Sequence, residues 1–188
     1  MRKGILAAAA LLVSLQAPAM DLRVGCALGT RSIDDESLRE AYGPGTVYFP
    51  YAALSFWKGA AVGAGFETGY SKEAKLGLYK EASSLKIQGF EIFALYQLKF
   101  DALHPYLKAG YGFYSYSQTL DSPIAPLFRV DARQGAPILA GGFNLHLTEG
   151  LYLSGEAKYV PLTVKPFDEE VDLGGLRYLL GIGYAFKF

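Results

Sequence analysis

Seven charged residues sit at alternate positions in segments that are otherwise apolar or small: Arg23, Glu67, Glu91, Lys108, Glu156, Lys158 and Arg177. Glycine, alanine and serine recur on their side of the alternation, while the other side is aliphatic and aromatic. Four are basic and three acidic, the make-up of an ion-pair network. Buried charges persist only when paired, so the set reads either as a salt-bridge plug or gate across a lumen, or as an ionic core that fills one. The glycines leave room for the long side chains.

Other reactive residue types are sparse. The two histidines lie in His104-Pro105-Tyr106 and His146-Leu147-Thr148, each beside a short connection, and read as neutral rim or lumen groups. Cys26 is the single cysteine, which excludes an intrachain disulfide and a cysteine metal cluster. No residue set implies a metal or a cofactor.

Holding charges on one side of a greasy segment requires strands. The last stretch, residues 173–188, shows the pattern best: Leu176, Tyr178, Leu180, Ile182, Tyr184, Phe186 and Phe188 alternate with Gly175, Arg177, Leu179, Gly181, Gly183, Ala185 and Lys187. A period of two is that of a strand. Here the charges share the roomy face and the opposite face is continuously apolar, the reverse of a soluble strand, so the apolar face looks into lipid.

Seven earlier segments repeat the pattern: 21–31, 47–57, 60–71, 86–99, 104–116, 136–147 and 151–160. Residues 47–57 are apolar on both faces and leave their register open. In 60–71 the outward set is Val62, Ala64, Phe66, Thr68 and Tyr70. Long polar connections at 32–46, 72–85, 117–134 and 161–173 alternate with tight turns near Lys58, Asp101 and Glu149. Ser32 and Asp35 resemble a capping box ahead of one helical turn over 35–41. The sequence therefore predicts an all-β fold, an eight-stranded antiparallel up-and-down transmembrane β-barrel with both ends on the short-turn side. Trp57, Phe100, Tyr106, Tyr159 and Tyr184 would supply its aromatic belt, unless Tyr106 turns into the lumen.

The start of the chain carries an export signal. Arg2 and Lys3, the apolar run 4–15 and Ala17-Pro18-Ala19 form a signal peptide over residues 1–19, cleaved after Ala19. A lipoprotein site at Val24-Gly25-Cys26 is disfavoured because Asp21 and Arg23 interrupt the apolar stretch it needs. Residues 20–188 then form one domain with 16 basic and 18 acidic side chains, a balance that gives no reason to expect nucleic acid.

Taken together, the chain resembles the small eight-stranded outer-membrane barrels of the OmpA and OmpX type, the outer membrane protein β-barrel domain. The resemblance spans residues 20–188 and rests on strand pattern and chain ends. Ile182, Tyr184, Phe186 and the terminal Phe188 are similar to the closing strand of that family, which implies that the barrel-assembly machinery recognises them. It also implies export through the periplasm to the outer membrane and contact with its lipid and lipopolysaccharide, as a monomer. Lys72, Lys75 and Lys80 would suit lipopolysaccharide phosphates, and Asp168, Glu169, Glu170 and Asp172 bridging divalent cations, or both stretches are simply solvated.

The function expected is that of a non-enzymatic barrel with a plugged polar lumen, contributing to envelope structure or surface contact through four external loops. A narrow channel for small or hydrophobic solutes is one alternative, a lipid A-modifying enzyme another. Lipid A deacylases of the PagL type carry a His-x-Ser-Asn segment, which neither histidine here matches. Glu91 is expected to pair with Lys108 or Arg177. Tyr42, read as a first-loop tyrosine, is expected to matter for neither insertion nor recognition.

Overall fold

The structure, a computed structural model, describes residues 20–76, 81–121, 128–165 and 170–188. The expected leader at 1–19 lies outside them, as do Lys80, Asp168 and Glu169. The elements in chain order are β1 (Asp21–Arg31), α1 (Glu36–Tyr42), β2 (Gly45–Trp57), β3 (Ala60–Leu76), β4 (Glu81–Gln97), β5 (Leu103–Asp121), β6 (Phe128–His146), β7 (Leu151–Val160), β8 (Thr163–Val164), β9 (Val171–Asp172) and β10 (Gly175–Lys187). Strands β1 to β7 pair in order, and β10 lies between β7 and β1, closing an antiparallel barrel of eight strands. No edge is left within the membrane, as lipid requires. The Lys58-Gly59 turn has positive φ at both residues, 31° and 97°, the geometry that suits a two-residue hairpin.

The strands differ in length, and the difference corrects two of the expected loops. Residues 72–85 and 117–134, read as loops because they are polar, are largely strand: Lys72 pairs with Leu85, Lys75 with Ala82, and Ser117 with Asp131. Polar residues on both faces are compatible with a strand once it has left the bilayer. The 19 residues of β5 reach about 50 Å in height at a tilt of about 40°, against an apolar band of roughly 25 Å, whereas the 10 of β7 just span it. A four-stranded sheet, β3 to β6, thus projects above the outer rim. Its free edges are flanked by α1 beside β3 and by β8 beside β6, which guards against edge pairing.

The lipid boundary follows the register. Phe66 pairs with Phe90 and Phe90 with Phe113, a row of three exposed rings on neighbouring strands, and beyond it the outward residues turn polar at Gln88 and Ser115. This outer girdle was not among the belt residues expected from sequence. Trp57, Phe100, Tyr159 and Tyr184 do face outward, but Tyr106 is buried in the lumen. In β2 the open register resolves with Val47, Phe49, Tyr51 and Ala53 inward and Tyr48, Pro50 and Ala52 outward. Pairing with β3 lapses between Tyr48↔Thr68 and Tyr51↔Gly65, where Pro50 has no N–H to give.

The expected faces hold along the other strands except at the top of β3. Between Glu67↔Gly89 and Tyr70↔Ile87 the register slips by one residue, a bulge that Gly69 accommodates at φ +100°. Tyr70, expected outward, therefore turns inward and is fully buried. The first-loop helix also differs in detail. Its N-cap is Asp35, whose carboxylate accepts from Leu38 N at 2.9 Å; Ser32 instead exchanges hydrogen bonds with the Leu176 backbone. Tyr42 is not a free loop residue: it is buried, shares a 2.6 Å hydrogen bond with Ser83 and accepts one from Gln118.

Candidate functional site

The barrel interior divides into three layers. The outermost is apolar: Ile33, Tyr42, Tyr70, Ile87, Leu162 and Leu173 belong to a buried cluster that closes the lumen from above. Such a core belongs to a soluble protein more than to a pore. Its residues come from α1, the strand tops and the β8–β9 pair, so the external connections fold down into the barrel mouth.

Below it lies the charged layer, and strand register explains its composition. Arg31 pairs with Arg177, Arg177 with Lys158, Lys158 with Ala140 and Ala140 with Lys108, so one cross-strand row over five strands carries four cations. Like charges in neighbouring register repel. The opposing wall supplies the remedy, because Glu67 on β3 and Glu91 on β4 point back across the lumen. Glu67 accepts from Arg31 at 2.9 Å, from Lys158 at 3.0 Å and from Arg177 Nε at 2.9 and 3.0 Å. Glu91 accepts from Lys158 at 2.7 Å and from the Tyr114 hydroxyl at 2.7 Å.

The remaining charge in this layer is spread over backbone and rings. Arg31 donates to the Leu173 carbonyl at 2.6 Å and Arg177 to that of Gly175 at 3.2 Å, tying the last connection to the network. Lys158 lies 4.2 Å from the centre of the Phe49 ring and Arg177 5.5 Å from that of Tyr114, distances at which cations are attracted to ring faces. Glycine makes the arrangement possible. Gly89 and Gly112 flank the Tyr114 ring, and a methyl group at either would run into it.

A separate pair lies lower. Lys108 donates to Glu156 at 2.5 Å and Tyr106 to the same carboxylate at 2.8 Å. The innermost layer, toward the periplasm, holds Arg23, Gln97, Asn144, His104 and His146, and among the described residues Arg23 makes no ion pair. Arg23 Nη1 donates to the Gln97 side-chain oxygen instead. Between the Lys108–Glu156 pair and Arg23 is a cavity of about 40 Å³, lined by residues including Tyr51, Phe93, Asn144 and Tyr152. A space of that size admits about three waters and no column of them.

All seven residues singled out in the sequence line the lumen, but not as one network. Glu67, Glu91, Lys158 and Arg177 come together, Lys108 and Glu156 form their own pair, and Arg23 stands apart. The partner of Glu91 is Lys158 rather than Lys108 or Arg177, because Lys108 is held by Glu156 and Arg177 by Glu67. Arg31, Tyr114 and Gln97 were not singled out, and Tyr106, left open between belt and lumen, proves to be a lumen residue. Alternation already puts Arg31 on the inward face of β1, where it could have been counted with Arg23; the others are polar partners that charge counting overlooks.

Ile182, Tyr184, Phe186 and Phe188 stand in line on the lipid face, each well exposed, and the Phe188 amide donates to the Met20 carbonyl at 3.1 Å, fastening the two ends together. Among the described residues no group of three or more His, Cys, Asp or Glu is placed to hold a metal ion.

Several solved structures of outer-membrane proteins share this arrangement. The outer membrane protein OprG from Pseudomonas aeruginosa matches over 90% of this chain and 97% of its own, at 15% identity and a TM-score of 0.67. The attachment invasion locus protein Ail of Yersinia pestis, in complex with the heparin analogue sucrose octasulfate, matches over 89% and 99%, at 12% identity and a TM-score of 0.58. The outer membrane protein AlkL matches over 90% of each chain, at 13% identity and a TM-score of 0.52. Identities this low speak to fold alone. No curated protein matches the sequence. The model of the outer membrane protein beta-barrel domain family matches residues 5–186, so the chain belongs to that family and is an integral protein of the outer membrane.

Proposed function

We propose that this protein is a non-enzymatic, closed barrel that serves the envelope from its outer surface, with the projecting β3–β6 sheet and the folded connections as the working face. The observation that carries this reading is the occupied lumen: Arg31, Lys158 and Arg177 are wholly buried against Glu67 and Glu91 beneath an apolar cap. A conduit needs a continuous wet path, and a 40 Å³ cavity is not one. An enzyme needs reactive groups facing substrate, whereas the carboxylates here are engaged by cations and the histidines sit at the periplasmic end, away from the outer leaflet.

Contact with lipopolysaccharide and assembly through the closing-strand aromatics belong to the same reading. The Ail structure holds a sulfated sugar analogue; on the outer surface of this chain Arg129 is paired with Asp131 at 2.8 Å and Lys165 with Glu170 at 2.7 Å, so those two cations are already engaged. The test combines two measurements. Proteoliposomes carrying the purified protein should not swell in small sugars. Cells expressing a barrel with residues 72–85 replaced by a short turn should keep it in the outer membrane yet lose whatever envelope or surface phenotype the gene confers. Rapid swelling would favour the solute conduit; an unchanged phenotype would remove the projecting sheet from the function.

A further inference from the structure

The outer end of β6 has a free side. Its pairing with β7 begins at Leu139↔Tyr159, and from Ile138 up to Phe128 no strand of the barrel lies beside it there. A strand so placed leaves backbone N–H and C=O groups unclaimed by a ladder. The β8–β9 pair stands opposite, and between the two is an open groove of about 520 Å³ whose lining includes Arg133, Gln134, Thr163, Lys165 and Glu170. Small-ligand sites have volumes of this order, roughly 300 to 1,000 Å³.

Register fixes the height of the groove. Arg133 pairs with Ser115, and Ser115 with Gln88, so Arg133 lies on the outward face in the first row above the Phe66, Phe90 and Phe113 rings. Two residues along a tilted strand raise it about 5 Å above that row. The polar headgroup layer of a bilayer extends roughly 5 to 7 Å beyond the hydrocarbon on each side, so the groove opens among headgroups. Its charge is equally defined. Lys165 is held by Glu170 and the neighbouring Arg129 by Asp131, whereas Arg133 is exposed and its side chain makes no ion pair or hydrogen bond among the described residues.

We propose that this groove binds the phosphorylated sugar headgroup of lipopolysaccharide, with the Arg133 guanidinium on a phosphate and Gln134, Thr163 and the Glu170 carboxylate on sugar hydroxyls. The site rests on the lipopolysaccharide contact proposed above and assigns it to residues other than the lysines of 72–80. A guanidinium fork matches two phosphate oxygens at once, and amide, hydroxyl and carboxylate groups match hydroxyls. Lys165 cancels Glu170, so Arg133 leaves the groove net positive. Directly beneath, Leu139 and Tyr159 are exposed to lipid and paired with each other. A ligand with acyl chains under its headgroup therefore gains contacts that a free sugar phosphate lacks.

Native mass spectrometry of the folded protein in an uncharged detergent tests this, with rough lipopolysaccharide, the same lipid dephosphorylated, and glucosamine 1-phosphate as probes. The wild type should retain one lipopolysaccharide per barrel and hold the dephosphorylated lipid more weakly. Arg133→Gln should weaken retention about tenfold or more, as loss of a charged hydrogen bond does. The side chain is exposed and unpaired, so the heat-modifiable gel band should show that the variant still folds. Thr163→Val should weaken retention less, and Lys75→Gln, at the tip of β3, should change nothing. No retention by the wild type would overturn the lipopolysaccharide contact and the site with it. Equal retention by wild type and Arg133→Gln, or an equal loss in Lys75→Gln, would overturn the site and leave the contact standing. Glucosamine 1-phosphate bound as tightly as the lipid would give the groove to a soluble sugar phosphate and overturn the lipid assignment.

Discussion

The two halves of the lumen solve the same problem differently. In the outer half, three cations share two carboxylates, a tyrosine hydroxyl, two backbone carbonyls and aromatic faces, and an apolar cap excludes water from above. In the inner half, one guanidinium shares an amide oxygen with an asparagine, and two imidazoles stand close together without a carboxylate. The difference separates a charged lock from a neutral packing of polar groups. Charges that neutralise one another across the barrel hold opposite walls together, whereas the inner guanidinium makes no ion pair among the described residues and ties its walls only through neutral side chains.

The largest effect should come from Glu67, on which three cations converge. Glu67→Gln keeps the shape and removes the charge, stranding Arg31 and Arg177 in one row. Breaking a single buried pair costs about 3 to 5 kcal/mol, and this substitution touches three, so the temperature at which the heat-modifiable gel band shifts should fall steeply or the barrel should fail to accumulate. A band shift within a few degrees of wild type would mean that water already screens the cluster. Glu91→Ala should come next. It releases Lys158 from one of two carboxylates and leaves Tyr114 without its acceptor, a loss of about 3 kcal/mol, and a loss equal to that of Glu67→Gln would contradict the ranking.

Tyr114→Phe sharpens the comparison further. The ring still fills the slot over Gly89 and Gly112, and only the hydrogen bond to Glu91 goes, so stability should drop by about 1 to 2 kcal/mol. Gly112→Ala should cost more than Tyr114→Phe, because a methyl group there collides with the ring itself. The reverse order would show that the layer is loosely packed. The smallest effect belongs outside the lumen: Lys165→Ala, which removes an exposed ion pair with Glu170, should leave the band shift where it was.

Much of this was legible in the sequence because a period of two sorts inward from outward residues without knowledge of neighbours. The seven lumen charges, the lipid-facing closing strand and the strand count all follow from that one rule. What lay beyond it depends on which strand meets which, and at what height. The stacking of Arg31, Arg177 and Lys158 is a matter of register, as is the choice of Lys158 over Lys108 for Glu91. Tyr70 escaped because one extra residue at Gly69 reverses every side chain beyond it. The projecting hairpins escaped for another reason: strands above the bilayer lose the apolar face by which membrane strands are recognised. The burial of Tyr42 was not legible because a loop that folds into a barrel mouth has a core of its own.

The central claim is that the lumen is closed by its charged layer, and single-channel recording in planar bilayers tests it most directly. The wild type should give no steady openings at moderate voltage, and Glu91→Ala, if it assembles, should flicker as water enters beside the freed Lys158. A large, steady wild-type conductance that Glu67 or Glu91 substitutions leave unchanged would contradict the account.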